Sequence, residues 1–431
     1  MPNLPDAQQR IKVCFIGLYA YPLFNADCIS PFGGSEVRVA MIAKELAHRG
    51  NLDVSVIVFD HGQPHIEMQE QVRVISWVGK QCLVSVYPDE ANQTGNVESS
   101  FAERLKPRLP GFAWKFLQFI RRVKRQIYIF GEIGAHSIWR SDIKTFDEVN
   151  ADVYITAGNG ELTADIVYYC KAKGKKFILL SGSDLDFDPD IKSNSQYVTP
   201  YGVNGFLMQY TLGHADAFIL QTERQRNLLR EHFQRDGVVI RNPVDLTQKF
   251  PPVQSSKVVL WVGKSDLVKR PELALKLAKE FPEYDFKFIM SFSNENIHIE
   301  TLAKAKNLPN VTILPYIPYE QVEEIYAKAG LLVNTSVFEG FPNTFLQAAK
   351  YGVPILSLNV DPDGMLTEHG CGMYCHGDFA TMKPALAKLM AKDTHDRAGA
   401  NGLEYVRKYH DKTVIGRQFE EALLSLFPST N

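Results

Sequence analysis

The chain has no run of about 18 apolar residues, so no segment is expected to cross a bilayer as a helix. Its first ten residues, Met1 to Arg10, are polar, hold two prolines and lack the apolar stretch of a signal peptide. An excess of charge of one sign is missing as well. Against 49 acidic residues stand 47 Lys and Arg, a formal net charge of −2. That balance argues against a nucleic-acid partner, because affinity for a phosphate backbone needs a dominant positive excess. Cysteine is sparse: Cys14, Cys28, Cys82, Cys170, Cys371 and Cys375 are scattered and mostly sit in apolar runs, as reduced core thiols do. A cytoplasmic location fits these features. No repeat suggests a solenoid. What the chain does have is apolar material, 45% of 431 residues, enough for roughly two cores.

That material is ordered in a rhythm. Short β-branched runs alternate with helix-period segments: IKVCFIGL from Ile11, a helix from Ser35 to Arg49, DVSVIVF from Asp53, DVYITAG from Asp152, KFILLSG from Lys176, AFILQT from Ala217 and VVIRNP from Val238. Such alternation predicts βα units and a parallel sheet. The pattern breaks at Phe250-Pro-Pro-Val-Gln-Ser-Ser, whose composition suggests a linker between domains. A second series follows, with KVVLWVG from Lys257, then DFKFIMSF, NVTILPY, LLVNTS and VPILSLN. The expected fold is therefore α/β with two Rossmann-like domains, closed by a helical segment over Thr413 to Phe427.

Three loops at strand ends could carry chemistry. After LLVNTS comes Glu339-Gly-Phe-Pro-Asn-Thr-Phe-Leu-Gln347, where Pro342 suits the first helical position and Gly352 and Pro354 mark the helix end. Amides around Asn343 and Thr344, with the helix dipole behind them, would hold an anion such as phosphate, although a plain βα turn explains the same letters. After VVLWVG, Gly263 leads into Lys264 and Lys269, two ammonium groups able to flank a diphosphate, or simply solvated lysines. In the first half, Gly33 and Gly34 permit close backbone approach ahead of a helix that Ser35 could cap.

Together these pieces resemble the retaining glycosyltransferases of the GT-B fold, in particular glycosyltransferase family 4 (glycosyl transferases group 1). The residues that carry the likeness are Gly33-Gly34-Ser-Glu36 with Leu46-Ala-His-Arg-Gly50, Asn242-Pro-Val-Asp245, the Gly263-Lys264…Lys269 loop, and Glu339-Gly-Phe-Pro…Gln347-Ala…Gly352-Val-Pro354. The resemblance implies two domains facing a cleft: residues 1–248 binding the acceptor, residues 249–412 binding a nucleotide-sugar donor, and 413–431 as a helix that could return to the first domain. It implies that Glu339, Lys264 and Lys269 act in catalysis, Glu339 on sugar hydroxyls and the lysines on the departing diphosphate. Gly33, Gly34, Gly263, Phe341, Pro342, Asn343, Thr344 and Gln347 would line the donor site. Relatives usually have Arg where Lys264 stands and a second acid where Gln347 stands. They also place a histidine in the first domain near the donor sugar. Here the corresponding loops hold Asn159, Ser183 and Asp184, which become the candidates for orienting donor or acceptor hydroxyls.

The implied reaction is sugar transfer to a hydroxyl of a glycan or lipid-linked glycan in cell-surface polysaccharide synthesis, with no cofactor beyond the nucleotide-sugar co-substrate and no metal. An impaired nucleotide-sugar-binding or assembly subunit, or an epimerase on the same fold, are the alternatives. The run Asp184-Leu-Asp186-Phe-Asp188-Pro-Asp190 has carboxylates for a cation, but Pro189 and Ser195 stand where a calcium loop needs Gly and Glu. His369-Gly-Cys371…Cys375-His376 has zinc-binding residue types crowded into one segment without a distant second pair. The stretch 106–125 interleaves Lys106, Arg108, Lys115, Arg121, Arg122, Lys124 and Arg125 with Trp and Phe, which suits an anionic membrane surface or, equally, a solvated helix face.

Overall fold

A computed structural model of the chain describes residues 10–77, 140–193, 197–247, 256–314, 317 and 319–427. The basic stretch 106–125, Cys82 and linker residues 250–255 lie outside them.

The apolar runs form two sheets. The first contains β1 (Ile11–Ile16), β2 (Leu52–Val58), β3 (Ile66–Gln69), β4 (Val72–Ser76), β5 (Val153–Ala157), β6 (Lys176–Leu180), β7 (Ala217–Leu220) and β8 (Val238–Val239). Their spatial order is β3-β4-β2-β1-β5-β6-β7-β8. Every pair is parallel except the β3–β4 hairpin. The second sheet contains β9 (Val258–Lys264), β10 (Asp285–Ser291), β11 (Val311–Leu314), β12 (Leu331–Asn334), β13 (Ile355–Ser357) and β14 (Gly372–Tyr374). It is wholly parallel, in the order β11-β10-β9-β12-β13-β14. These are two Rossmann-like units.

Helices cover both faces of each sheet, which is why the strands read as continuous apolar runs rather than alternating ones. In β1, Val13 and Phe15 join one core cluster while Cys14 and Ile16 join the cluster on the opposite face. The helix Lys412–Leu424 also belongs to the first unit's core: Ile415, Phe419 and Leu423, spaced four apart, bury themselves with Phe15, Ala43 and Leu46. Glu420 accepts from Arg49 Nε and Asn51 Nδ2, each at 2.7 Å. Gly416 faces Glu45 so closely that a Cβ would overlap its side chain.

The chain passes between the units twice, and the two passes run side by side. Val244 N–H donates to His410 O at 2.7 Å, Lys412 N–H to Val244 O at 3.1 Å, and Lys412 pairs with Asp245 at 2.8 Å. His410 is fully buried here, with Nδ1 2.8 Å from Asn242 O and its ring 4.7 Å from that of Phe341. A carbonyl only accepts, so Nδ1 carries the proton. Burial pushes the imidazole down to about 3 from its usual 6.5 and the ring is neutral.

Because the unfolded chain binds a proton at His410 below its ordinary value and the folded chain does not, this contribution to stability is present above about pH 6.5 and is lost as pH falls toward 3. We expect wild-type stability to drop by about 1.4 kcal/mol per pH unit from this group between roughly pH 6 and 4. A His410→Asn variant should lack that increment in urea titrations over the same range; equal slopes would contradict it.

Candidate functional site

Open α/β sheets bind ligands beyond the carboxyl ends of their strands, where the strand order reverses. In the first sheet the reversal lies between β1 and β5, in the second between β9 and β12. Both crevices open into one cleft of about 750 Å³, a normal size for a small-molecule site. Gly33, Gly34, Asn159 and Ser183 line it from one side; Gly263, Lys264, Lys269, Glu339, Phe341, Pro342, Asn343, Thr344 and Gln347 line it from the other. Of the residues the resemblance assigns to catalysis, donor binding or sugar orientation, Asp184 alone is not part of that lining.

The β9 loop is held so that its lysines face the cleft. Asp266 Oδ1 accepts from the amides of Val268 at 3.0 Å and Lys269 at 2.8 Å, which turns the chain back. Thr335 Oγ1 donates to Lys269 O at 2.6 Å and accepts from Trp261 Nε1 at 2.9 Å. Gly263 packs closely, since a Cβ there would lie 3.0 Å from the Trp261 ring and 3.3 Å from Lys269 Cγ. Lys269 Nζ forms an ion pair with Glu339 Oε1, to which Ser336 Oγ also donates at 2.7 Å. Glu339 Oε2 accepts no hydrogen bond among the described residues, and the residue lines the cleft. Lys264 makes no ion pair among the described residues. Its Nζ lies 4.0 Å from where a Cβ on Gly33 would stand, so it reaches the opposite domain.

Two helix starts differ from the sequence expectation. The helix after Glu339 covers Asn343–Lys350, with Pro342 as its N-cap rather than its first residue. The helix after the glycine pair begins at Gly34, and its N-cap is Gly33, not Ser35. Glu36 Oε2 accepts from Gly33 N–H at 2.9 Å and from Ser35 Oγ at 2.8 Å, so the carboxylate holds the N–H of the N-cap residue, a glycine that offers no side chain to the helix amides. The amides of Asn343 and Thr344 open their helix and have no intrahelical acceptor, which leaves a positive end toward the cleft. Phe341 differs: its amide donates to Gln221 Oε1 at 2.5 Å and is not available to an anion. Asn343 binds through its side chain as well. Its Nδ2 donates to Gly34 O at 2.6 Å, and its Oδ1 accepts from Asn242 Nδ2 at 2.9 Å.

In the first domain, Asn159 is buried, with its amide nitrogen donating to Asp186 Oδ1 at 2.9 Å and its Nδ2 to Met208 O at 3.1 Å. Asp184 turns aside to Arg224, which donates to it at 2.8 Å. The acid of that loop lining the cleft is Asp186, which also accepts from the amides of Gly182 at 2.6 Å and Ser183 at 3.2 Å. Burial raises its pKa; those amides and the Arg38 charge oppose the shift. Arg38 itself is 1% exposed and donates to Ser181 O and Ile240 O, and burial brings it down to about 9. Among the described residues, no group of three or more His, Cys, Asp or Glu is placed to hold a metal ion, and the Asp184–Asp190 carboxylates point to separate partners.

Sequence reasoning missed Gln221. It stands just past β7, at the carboxyl edge where sites form, but an amide before a helix also reads as an ordinary turn residue. It is buried, donates to Ser181 O at 2.7 Å and holds the Phe341 amide of the other domain. Gly340 permits this, since a Cβ there would lie 2.5 Å from Gln221 Oε1.

Residues 245–396 match the family model described as glycosyl transferases group 1, so this part of the chain is a domain of that kind. An uncharacterized glycosyltransferase of Haemophilus influenzae is 28% identical over 162 residues, 36% of this chain and 45% of its own length. A lipopolysaccharide 1,6-galactosyltransferase of Escherichia coli is 33% identical over 107 residues, 22% of this chain and 28% of its own. The match thus spans less than half of either relative. Among solved structures, sucrose-phosphate synthase from Thermosynechococcus elongatus superposes with a TM-score of 0.70 at 17% identity, covering 98% of this chain and 100% of that one. The lipopolysaccharide outer core galactosyltransferase WaaB, in its apo form, gives 0.54 at 16% identity, covering 97% of this chain and 100% of that one. The fold is the GT-B fold.

Replacing Gln221 with Leu should strand the Phe341 amide without a partner, a cost of about 1–3 kcal/mol, while Ser181 O keeps its bond from Arg38. We expect a lower thermal midpoint and a larger radius of gyration by small-angle scattering as the cleft loosens. Unchanged values of both would show that the bond does not hold the domains together.

Proposed function

We propose that this protein is a retaining, nucleotide-sugar-dependent glycosyltransferase of family 4, moving a sugar to a hydroxyl of a glycan or lipid-linked glycan. The observation that carries the reading is the meeting of two switch-point crevices in one cleft that holds a lysine–glutamate pair, a second lysine and a helix N-terminus. In this reading the donor lies on residues 249–412 and the acceptor on residues 1–248. An acceptor oxygen bonds to the anomeric carbon as the bond from that carbon to the diphosphate breaks, and the departing oxygen takes up negative charge. Lys264, Lys269 and the amides of Asn343 and Thr344 stabilise that charge, which is the kind of fixed electrostatic help that matters most where water is excluded. Glu339 Oε2 accepts from hydroxyls of the sugar. No histidine lines the cleft among the described residues, and Asn159, Ser183 and Asp186 are the first-domain polar groups nearest to that role.

The reaction proceeds in this reading without a metal, since protein cations take the diphosphate. Lys264 supplies charge without the forked geometry of an arginine. The names of the lipopolysaccharide relatives support a cell-surface polysaccharide as the product. The basic, aromatic stretch 106–125 supports a cytoplasmic enzyme working against an anionic membrane face. A second reading, a donor-binding subunit without turnover, is favoured by Gln347 and the absent histidine; donor binding without transfer would establish it.

A thermal-shift screen against UDP, GDP, ADP and their sugars should identify the donor, because a ligand at about 100 times its dissociation constant adds about 2.7 kcal/mol. Lys269→Ala should lower kcat by roughly 10²–10³. Purified protein that neither hydrolyses nor transfers any nucleotide sugar, with Lys269→Ala leaving nucleotide binding unaltered, would remove this reading. Gln347→Glu should lower the donor KM or leave it nearly unchanged, with little effect on kcat; a large kcat loss would assign the amide a further role.

A further inference from the structure

Tyr201 lines the cleft and has no part in the reaction proposed above. Residues 197–204 form a tight hairpin in which Val198 and Asn204 bridge in antiparallel fashion. Thr199 N–H donates to Val203 O at 2.9 Å, Gly202 N–H to Thr199 O at 2.8 Å, and Thr199 Oγ1 accepts from Val203 N–H at 3.1 Å. Pro200 and Tyr201 occupy the two central positions, and Gly202 follows at φ +80°, where any other residue would be strained. The base is equally fixed. Tyr197 donates its hydroxyl to Asp188 Oδ2 at 2.9 Å, and Asn204 caps the following helix through Phe206 N–H at 2.9 Å. The turn is held by hydrogen bonds at its base and across its strands, and its tip is Tyr201.

Tyr201 is 60% exposed, so its ring contributes little to the core. It belongs to the first domain, yet it lines the cleft with Asp266, Lys269 and Glu339 of the second. Partial desolvation and then the negative charges of Asp266 and Glu339 raise its pKa, so the phenol stays protonated. Isolated exposed aromatics need no explanation. A ring carried on a hydrogen-bonded turn of one domain into a cleft that Glu339 of the other also lines does, because tyrosine offers a large amphipathic face with little side-chain entropy to lose.

We propose that Tyr201 is the stacking contact for the sugar whose hydroxyls Glu339 holds, so that sugar selection is shared between an acid on one domain and an aromatic face on the other. The inference rests on the glycosyltransferase reading above. A pyranose presents hydroxyls at its edge and C–H bonds on its faces; Glu339 meets the edge and Tyr201 meets a face. The nucleoside diphosphate lies toward Lys264 and the Asn343 amides and does not depend on the ring.

The test compares wild type, Tyr201→Ala and Tyr201→Phe by calorimetry with UDP, GDP and ADP and with UDP-glucose, GDP-mannose and ADP-glucose, together with transfer or hydrolysis kinetics. For the base that binds, Tyr201→Ala should leave affinity for the free diphosphate within about twofold, because the ring does not touch it. It should raise Kd and KM for the nucleotide sugar by roughly tenfold, the scale of one aromatic contact. Tyr201→Phe should recover most of that loss. If wild type prefers the nucleotide sugar to the free diphosphate and Tyr201→Ala keeps the same preference, the stacking role is overturned while the glycosyltransferase reading stands. If Tyr201→Phe is as impaired as Tyr201→Ala, the hydroxyl and not the ring is the contact, and stacking is again overturned. Wild type that binds none of the six ligands would overturn both. A thermal midpoint close to wild type in each variant separates these outcomes from misfolding.

Discussion

A parallel sheet collects its binding groups at the carboxyl ends of its strands, and this molecule depends on two such edges being made to face one another. Neither edge is complete alone. The first supplies Gly33, Gly34 and the loop around Asp186; the second supplies the lysines, Glu339 and a helix start. What sets their separation is a set of hydrogen bonds between domains, made at backbone groups. Asn343 reaches Gly34 O, and Gln221 holds the Phe341 amide. Asp363 accepts from Glu223 N–H at 3.1 Å, so an acid of the second domain caps a helix of the first, and Arg241 donates to the same carboxylate at 3.3 Å. Each of these is individually modest, about 0.5–1.5 kcal/mol net for a neutral bond and somewhat more for a charged one. Their common position around the cleft is what matters, because all of them must break for it to open.

The Lys269–Glu339 pair has side chains 24% and 16% exposed, between a surface pair of little value and a buried one with a heavy desolvation cost. That intermediate setting suits a site that must exchange partners. In the proposed reaction an incoming diphosphate competes for Lys269, and the freed carboxylate oxygen joins Oε2 in accepting from sugar hydroxyls. Lys264, without an ion-pair partner among the described residues, needs no such exchange and can meet the anion first.

The strands were legible because burial on both faces of a parallel sheet writes itself as apolar runs, and the position of the cleft follows from strand order. The β3–β4 hairpin was not legible. Its turn places Glu70 and Gln71 at φ +47° and +67°, positions where a glycine or asparagine would have announced it. Helix starts slipped by one residue at Ser35 and Pro342: in one case the N-cap is Gly33, its N–H held by Glu36, and in the other Pro342 keeps an extended backbone at ψ 121° and the helix begins after it. Gln221, Asp186 and Arg38 escaped for a related reason. Their partners lie elsewhere in the chain, Phe341 for the first and Ser181 and Ile240 for Arg38, and no local spacing encodes such a meeting. The choice of Asp184 over Asp186 failed on a local detail: within one short turn the two carboxylates face opposite ways, one to Arg224 and one to the amides of Asn159, Gly182 and Ser183.

Gln347 is neutral where the family resemblance implies an acid, and its surroundings supply a reason. It shares the wall of a small cavity with Glu323 and Lys350, which form an ion pair at 2.7 Å with side chains only 12% and 4% exposed. Lys350 follows Gln347 by three residues, so the two lie on neighbouring positions of one helix face. A carboxylate at 347 would compete with Glu323 for that single buried ammonium, and the loser would be a partly desolvated charge without a partner. A glutamine makes no such demand and still offers both a donor and an acceptor to ribose hydroxyls. The amide is therefore compatible with the proposed reaction: the local charge is already balanced by Glu323 and Lys350, and the acid that meets the sugar in that proposal is Glu339 on the loop before the helix.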